Sequence, residues 1–341
     1  MESILFILDE NGYEIYPDIL SYLNNKRSPI ETGVKKYQKF SDGELCIDFD
    51  SSVRGKRVYL LSSPNTSDEI IKLELAVDAA KRAAAKEIIP ILPYFPYARQ
   101  DKKDQARGPI GAKVMALKLE AIGATSIITF DLHADQIQGF FEIPVTHVQG
   151  KNIFASYIKE VVTENTVLCG PDAGSSKRVK RMKDQLAKHY DINLSYVMID
   201  KTRKEANIVD KMEIIGDVKG KDVIILDDLV DTAGTLCKAA EELLANGALS
   251  VRAIISHPVL SGNAYLNIGK SVLTELVVSD SLSLKKPVDV CTEQRYKEDE
   301  CIKVYAGFEK IRVIGVGKQI GVAIYATNTH GSYDALKREV K

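Results

Sequence analysis

The sequence predicts an α/β protein of two tandem domains, each a parallel sheet flanked by helices. Three observations predict it. Short apolar runs alternate with longer helical patterns, the rhythm of strands covered on both faces. The chain has 341 residues, enough for two domains of about 150 residues each. One stretch also repeats. VYLLSSPNTSDEIIKLELAVDAAKRAAAKEIIPILP, residues 58–93, runs parallel to VIILDDLVDTAGTLCKAAEELLANGALSVRAIISHP, residues 223–258, at a constant offset of 165 residues. Strand, loop, helix, strand and closing Pro coincide, which reads as a duplicated α/β half. The other reading is that all βαβ units share this pattern.

The elements follow in order. Ile4 to Leu8 reads as the first strand, and a helix carries Ile19 and Leu23. Arg57 to Leu61 is a strand, followed by an amphipathic helix from Asp68 to Ala84 opened by Ser67. Ile88 to Leu92 is a strand ended by Pro93; a helix from Ala112 to Ile122 then leads to a strand from Ser126 to Phe130. The rhythm restarts near Gly150. Residues 1–149 are expected as one domain, 150–310 as the second, and 311–341 as a C-terminal helix and tail packing back on the first. The last strong helical pattern runs from Gly317 to Tyr325. Lys285 to Lys303 is charged, lacks periodicity and reads as an exposed loop or hairpin.

Composition excludes several classes. Lys plus Arg number 46 and Asp plus Glu 47, a net charge of −1. No basic face or aromatic platform is evident, so a nucleic-acid partner is not expected. Five cysteines, at 46, 169, 237, 291 and 301, are scattered without CxxC spacing, which argues against a zinc site or disulfide framework. The opening MESILFILDENG reads as a strand and not a signal peptide. No apolar run approaches the roughly 20 residues of a membrane span. A cytoplasmic location is expected.

The strongest chemical signal is VIILDDLVDTAGT, residues 223–235. An apolar strand ends in two carboxylates, Asp227 and Asp228. A loop of small and hydroxyl residues follows, and then a helix. Ligands of open α/β sheets bind at strand carboxyl ends, and the backbone N–H groups of Thr232 to Thr235 make a nest for a phosphate. Vicinal sugar hydroxyls can donate to the acid pair, so the segment reads as a sugar-phosphate site. The first copy of the repeat carries Ser62 and Ser63 in place of the acids.

Other segments add to this. PYFPYARQDKKD, 93–104, places three cations and two acids in twelve residues, either a solvated loop or a cationic lid over polyphosphate. In TFDLHADQIQGFF, 129–141, Asp131 and His133 lie two apart just past a strand, both able to face a metal-bound ligand. VLCGPDAGSSKR, 167–178, gives a strand, a turn, the carboxylate Asp172 and a helix start. DKTRKEAN places Lys201 and Arg203 two apart, on one face of a strand, as two cations neutralising a transferring phosphoryl group need.

The acid-pair segment resembles the ribose-phosphate fingerprint of type I phosphoribosyltransferases. That alone leaves open whether the chain consumes or makes phosphoribosyl pyrophosphate. FPYARQDKKD, DLHADQIQGFF, PDAGSSKR, the KxRK element and DDLVDTAGT, in this order, resemble the ribose-phosphate pyrophosphokinases from Lys39 to about Gly262. The resemblance implies two phosphoribosyltransferase-like domains. It also implies transfer of the β,γ-pyrophosphoryl group of ATP to the 1-hydroxyl of ribose 5-phosphate, giving AMP. Asp231, Thr232, Ala233, Gly234 and Thr235 would take the sugar phosphate, with Asp227 and Asp228 on the ribose hydroxyls. Mg²⁺, carried by ATP, would be held near His133 and Asp172, with Asp131 in the same signature. Arg99, Gln100, Asp104 and His133 would contact the nucleotide. Phe40, Asp42 and Glu44 of KFSDGE would hold adenine from a neighbouring subunit of a hexamer built from dimers. Lys201, Arg203 and Arg99 would be catalytic.

There are departures from the family pattern. Ser52, Arg54, Arg107 and Gln138 match part of a regulatory phosphate or ADP site, but Ala106 and Asp135 stand where serine is usual. The C-terminal serine-rich loop is replaced by NTHGSYDALK. An acid at 135 repels phosphate, so regulation there is expected to be weak or altered. Glu142 and Thr146 replace aspartates of an older proposed metal site, and no metal is assigned to them. Two rivals stand beside this reading: a phosphoribosyltransferase acting on a base, and a non-catalytic regulatory relative. The lid-like loop speaks against the first, and the intact motifs against the second.

Overall fold

A computed structural model describes residues 1–205, 208–286, 289 and 298–337, with the backbone alone for 201–205, 208–211 and 298–303. The chain divides into two compact units. The first comprises residues 1–149, 281–283 and 315–341; the second comprises 150–280 and 284–314.

In the first unit the strands are β1 (Ser3–Ile7), β2 (Glu31–Thr32), β3 (Lys35–Lys39), β4 (Leu45–Phe49), β5 (Arg57–Leu61), β6 (Glu87–Leu92), β7 (Ile127–Phe130) and β8 (Val145–Val148). Helices α1 (Glu10–Asn25), α2 (Ser67–Arg82) and α3 (Gly111–Ile122) connect them. Six strands form an all-parallel sheet in the order β2-β1-β5-β6-β7-β8, and β3 and β4 pair as a separate antiparallel hairpin. Every residue of β5 and β7 is buried, as strands with helices on both faces require. The α2 cap is Thr66 and not Ser67. Its hydroxyl accepts from the Glu69 N–H while the Glu69 carboxylate accepts from the Thr66 N–H, a reciprocal capping box.

The second unit carries α4 (Lys151–Val161), β9 (Thr166–Gly170), α5 (Ser176–Tyr190), β10 (Ser195–Glu205), β11 (Ile208–Ile215), β12 (Asp222–Val230), α6 (Gly234–Ala245), β13 (Ser250–Pro258), α7 (Ala264–Lys270), β14 (Glu275–Ser279), α8 (Glu298–Glu309) and β15 (Ile311–Ile314). Its sheet runs β11-β10-β9-β12-β13-β14-β15, parallel except for the β10–β11 pair. The stretch expected as a loop from Lys285 to Lys303 is therefore helical from Glu298 onward. Gly307 permits this helix to lie on α7, since a Cβ there would sit 2.0 Å from the Tyr265 carbonyl oxygen. Residues 311–314 complete the second sheet, so the segment that belongs to the first unit begins at Gly315 and not at 311. It holds α9 (Gly317–Asn328) and α10 (Tyr333–Leu336). A Cβ on Gly317 would meet the Ile15 carbonyl oxygen at 2.5 Å, which measures how closely α9 lies on α1.

Candidate active site

In the second sheet the chain leaves β9 in one direction, toward β10 and β11, and returns on its other side at β12. The carboxyl ends of β9 and β12 therefore flank a topological switch point, where open α/β sheets bind ligands. Pairing of β12 with β9 stops at Ile225, while pairing with β13 continues to Val230. The strand does not end at the acid pair: Asp227 and Asp228 lie within it, held from the β13 side, at the open end of the crevice.

Asp228 is buried, and its N–H donates to Asp227 Oδ1 at 2.9 Å. Loss of hydration, then the charge of Asp228 and more distantly of Asp172, pushes the Asp227 carboxyl up to about 7. Asp172, just past β9, accepts the Ser175 N–H at 2.9 Å and closes a capping box. The site thus concentrates hard oxygen donors and negative charge, which suits hydroxyl donors or a hard cation.

Downstream, Ala233 adopts the left-handed conformation, φ 60° and ψ −2°, and α6 begins at Gly234. Among the described residues no side chain caps this helix. Its first internal bond runs from the Cys237 N–H to the Ala233 carbonyl, so the N–H groups of Gly234, Thr235 and Leu236 precede the helical ladder and face its positive end. Two residues absent from the sequence reading brace this loop: the Ser261 hydroxyl donates to Asp231, and the Asn267 amide donates to the Thr232 carbonyl at 2.8 Å. The small polar run SGN after β13 was the available signal for Ser261; Asn267 lies beyond it, on α7.

In the first unit a cavity of about 250 Å³ opens between the β5–α2 loop (Asn65, Thr66, Ser67) and the loop carrying Tyr97, Arg99 and Gln100. Tyr97 has φ 58°. The Gln100 carbonyl accepts the Ala112 N–H, and Asp101 accepts from the Gln136 amide at 3.0 Å, which ties the base of this loop to α3 and to the turn after β7. Asp104 and Arg107 lie beyond that anchor and are exposed. Asp131 is buried with φ 42°, a strained backbone of the kind held at functional sites. Its neighbour Leu132 donates to His147 Nε2 at 3.0 Å, so His147 holds the turn that carries Asp131 and exposed His133. His147 was not singled out by sequence because it lies fourteen residues beyond His133, on β8.

Phe40, Asp42 and Glu44 sit at the exposed tip of the β3–β4 hairpin, closed by Phe40 N–H to Glu44 C=O at 2.8 Å and by Gly43 at φ 95°. Ser52 and Arg54 are exposed, and the Gln138 amide donates to the Asp135 carbonyl at 3.0 Å. Of Lys201 and Arg203 the backbone alone is described: they pair with Met212 and Val209, with register shifts on either side of Arg203. Their side chains lie outside the described part. Among the described residues no group of three His, Cys, Asp or Glu side chains gathers as a metal cage. Asp131 and His133 belong to the first unit and Asp172 to the second. A magnesium ion that arrives on phosphates keeps those oxygens and its waters, and needs few protein donors. No helix among the described residues is long and apolar enough to cross a membrane.

Comparison with known proteins agrees with these motifs. The model of the N-terminal domain of ribose phosphate pyrophosphokinase matches residues 14–123, and that of the phosphoribosyl transferase domain matches 145–280. The chain is 47% identical over 250 residues to a ribose-phosphate pyrophosphokinase of Wolinella succinogenes, covering 73% of this chain and 79% of that one. To the enzyme of Porphyromonas gingivalis it is 46% identical over 282 residues, covering 80% and 88%. The crystal structure of phosphoribosylpyrophosphate synthetase from Mycobacterium smegmatis matches with a TM-score of 0.82 at 30% identity, covering 97% of this chain and all of that one. Identity of this size across most of both chains leaves one assignment: the protein belongs to the ribose-phosphate pyrophosphokinase family of diphosphotransferases.

Proposed function

We propose that the chain forms phosphoribosyl pyrophosphate by moving the β,γ-pyrophosphoryl group of MgATP onto the 1-hydroxyl of ribose 5-phosphate, with release of AMP. The observation that carries this reading is the switch point of the second sheet. There a crowded acid pair stands beside a helix N-terminus that no described side chain caps. The 5-phosphate would rest on the N–H groups of residues 231–235, and the ribose hydroxyls would donate to Asp227 and Asp228. This orientation holds the 1-hydroxyl for in-line attack, and positioning supplies much of the rate in such transfers.

Arg99, Gln100 and the first unit's cavity would receive the nucleotide, with Asp104 on the outer part of the loop. Phe40, Asp42 and Glu44 would close on the adenine of a second copy, which makes self-association, as a hexamer built from dimers, part of the active form. Lys201 and Arg203 would neutralise the charge on the β-phosphoryl group in flight. His133 and Asp172, with Asp131 behind them, would meet the magnesium ion of MgATP, which supplies charge neutralisation at the phosphates when bound.

The test is direct. Incubation with MgATP, with and without ribose 5-phosphate, is followed by chromatographic resolution of AMP from ADP. AMP formed only with the sugar phosphate supports the reading. ADP would mean simple phosphoryl transfer, and no turnover would favour a regulatory relative.

A further inference from the structure

Asp9 and Asp172 are counterparts in the two sheets. Pairing sets Phe6 opposite Leu60 and Cys169 opposite Ile225, and Leu60 and Ile225 are related by the 165-residue repeat. Phe6 thus corresponds to Cys169 and, three residues on, Asp9 to Asp172. Each then caps the helical turn that follows: Oδ1 of Asp9 accepts the Gly12 N–H, and Oδ1 of Asp172 the Ser175 N–H, both at 2.9 Å. The first sheet also reverses its strand order here, between β1 and β5.

What lies across the crevice differs. Asp172 stands near enough to the acid pair for its charge to be felt by Asp227. Asp9 meets two serines, and its Oδ2 accepts from the Ser62 hydroxyl at 2.5 Å and from the Ser63 N–H at 2.7 Å. The Asn11 amide donates to the Ser63 carbonyl at 3.1 Å, so the Ser63 residue is held at both its N–H and its C=O. Asp9, Asn11, Ser62 and Ser63 are all buried. Hydrogen bonds to a buried carboxylate are among the stronger ones a protein makes. Two residues further on, Asn65, Thr66 and Ser67 form the wall of the cavity that faces Arg99 and Gln100. The α2 N-terminus in that wall is already occupied by Glu69, which accepts the N–H groups of Asn65 and Thr66.

We propose that Asp9 is a positioning residue for nucleotide binding: clamped to Ser62 and Ser63, it converts the first unit's counterpart of the sugar-phosphate site into a fixed wall of the nucleotide cavity. Asp9 does not line that cavity, so it acts through the backbone of residues 63–67. The two halves of the duplicated scaffold then divide the substrates. An open acid pair serves the sugar, and an acid closed by serines serves the nucleotide. This rests on the reading of the cavity as the nucleotide site.

Steady-state kinetics on Asp9→Ala, Asp9→Asn, Ser62→Ala and Arg99→Ala tests it. Asp9→Ala should raise KM for ATP on the order of tenfold while KM for ribose 5-phosphate stays within about twofold. Asp9→Asn keeps an acceptor for Gly12 but presents an N–H to Ser63. It should therefore keep more of the thermal stability and still show the raised KM for ATP. Ser62→Ala removes one bond, supplies a milder variant should Asp9→Ala not fold, and should give a smaller rise of the same kind. An equal rise in both KM values would mean general loosening and would overturn the proposal. Unchanged KM for ATP in the Asp9 and Ser62 variants, with Arg99→Ala impaired, would overturn it alone. If Arg99→Ala also left KM for ATP unchanged, the nucleotide reading of the cavity would fall, and the proposal with it.

Discussion

The N–H of Asp228 points at Oδ1 of its own neighbour, Asp227, 2.9 Å away. One carboxylate is steadied by the backbone of the next, although the two charges repel. The consequence for pH follows from the sign. Burial and the neighbouring charges raise the Asp227 carboxyl from the usual carboxylate range to about 7. A raised acid stabilises the fold fully below its unfolded value, and that contribution is lost as pH rises through about 7. Asp227→Asn should therefore raise Tm at pH 8, by a few degrees, while weakening ribose 5-phosphate at least about tenfold, because a hydroxyl acceptor is lost. Melting curves at pH 6 and 8, with KM for the sugar phosphate, check both. A Tm lowered at pH 8 would contradict the electrostatic account.

Lys201→Ala and Arg203→Ala should each lower kcat on the order of a hundredfold or more, since in the proposed mechanism they act on charge that develops during transfer. KM for either substrate should move less. Losses below about fivefold in both would remove the pair from the reaction.

Arg57 anchors the C-terminal segment to the first sheet. It donates to both Glu87 carboxylate oxygens, to the Thr327 carbonyl at 3.1 Å and to Asn328 Oδ1 at 3.0 Å. Asn328 Oδ1 also accepts from Ser3 and Tyr59. Arg57 is 3% exposed, so Arg57→Met should cost about 2–3 kcal/mol, much of it from Glu87 losing the guanidinium that pairs with it. The same guanidinium holds the Glu87 carboxyl below its usual range. That stability is present above the ordinary carboxylate range and is lost as pH falls through the lowered value. The acid-unfolding midpoint of Arg57→Met should therefore shift to higher pH, with kcat retained at temperatures where the variant is folded. Circular dichroism during acid titration reads this out.

Inorganic phosphate should activate weakly. Asp135 stands with its Oδ1 3.8 Å from His147 Nδ1, and its carboxylate would repel an anion at the regulatory site expected from Ser52, Arg54, Arg107 and Gln138. Rate against phosphate concentration should be nearly flat in the native chain and should gain a rising limb in Asp135→Ser. A steep phosphate requirement in the native chain would contradict this.

The helices and strands were legible where the pattern was local. Arg57–Leu61 and Ile88–Leu92 read as buried strands because a continuous apolar run admits few other places. The acid pair and its loop read as a sugar-phosphate site because strand end, nest and helix start are consecutive. The error at the α2 cap came from two adjacent hydroxyl residues, Thr66 and Ser67, of which only one has the extended backbone a cap needs. The helix from Glu298 was missed because its charged sequence shows no clean apolar stripe, and it is held by close approach to α7 at Gly307.

By itself, then, the sequence determined the α/β class, the repeat, and the succession of strand, acid pair, small-residue loop and helix from Val223 onward. Each is carried by neighbouring residues and their periodicity. The tertiary structure alone decided that Asp9 matches Asp172, that Ser261 and Asn267 brace the loop before α6, that His147 holds the Asp131 turn, and that Arg57 reaches Asn328. These partners are brought together by strand order and register. Both are settled by which apolar faces pack best across the whole sheet, and no local spacing encodes them.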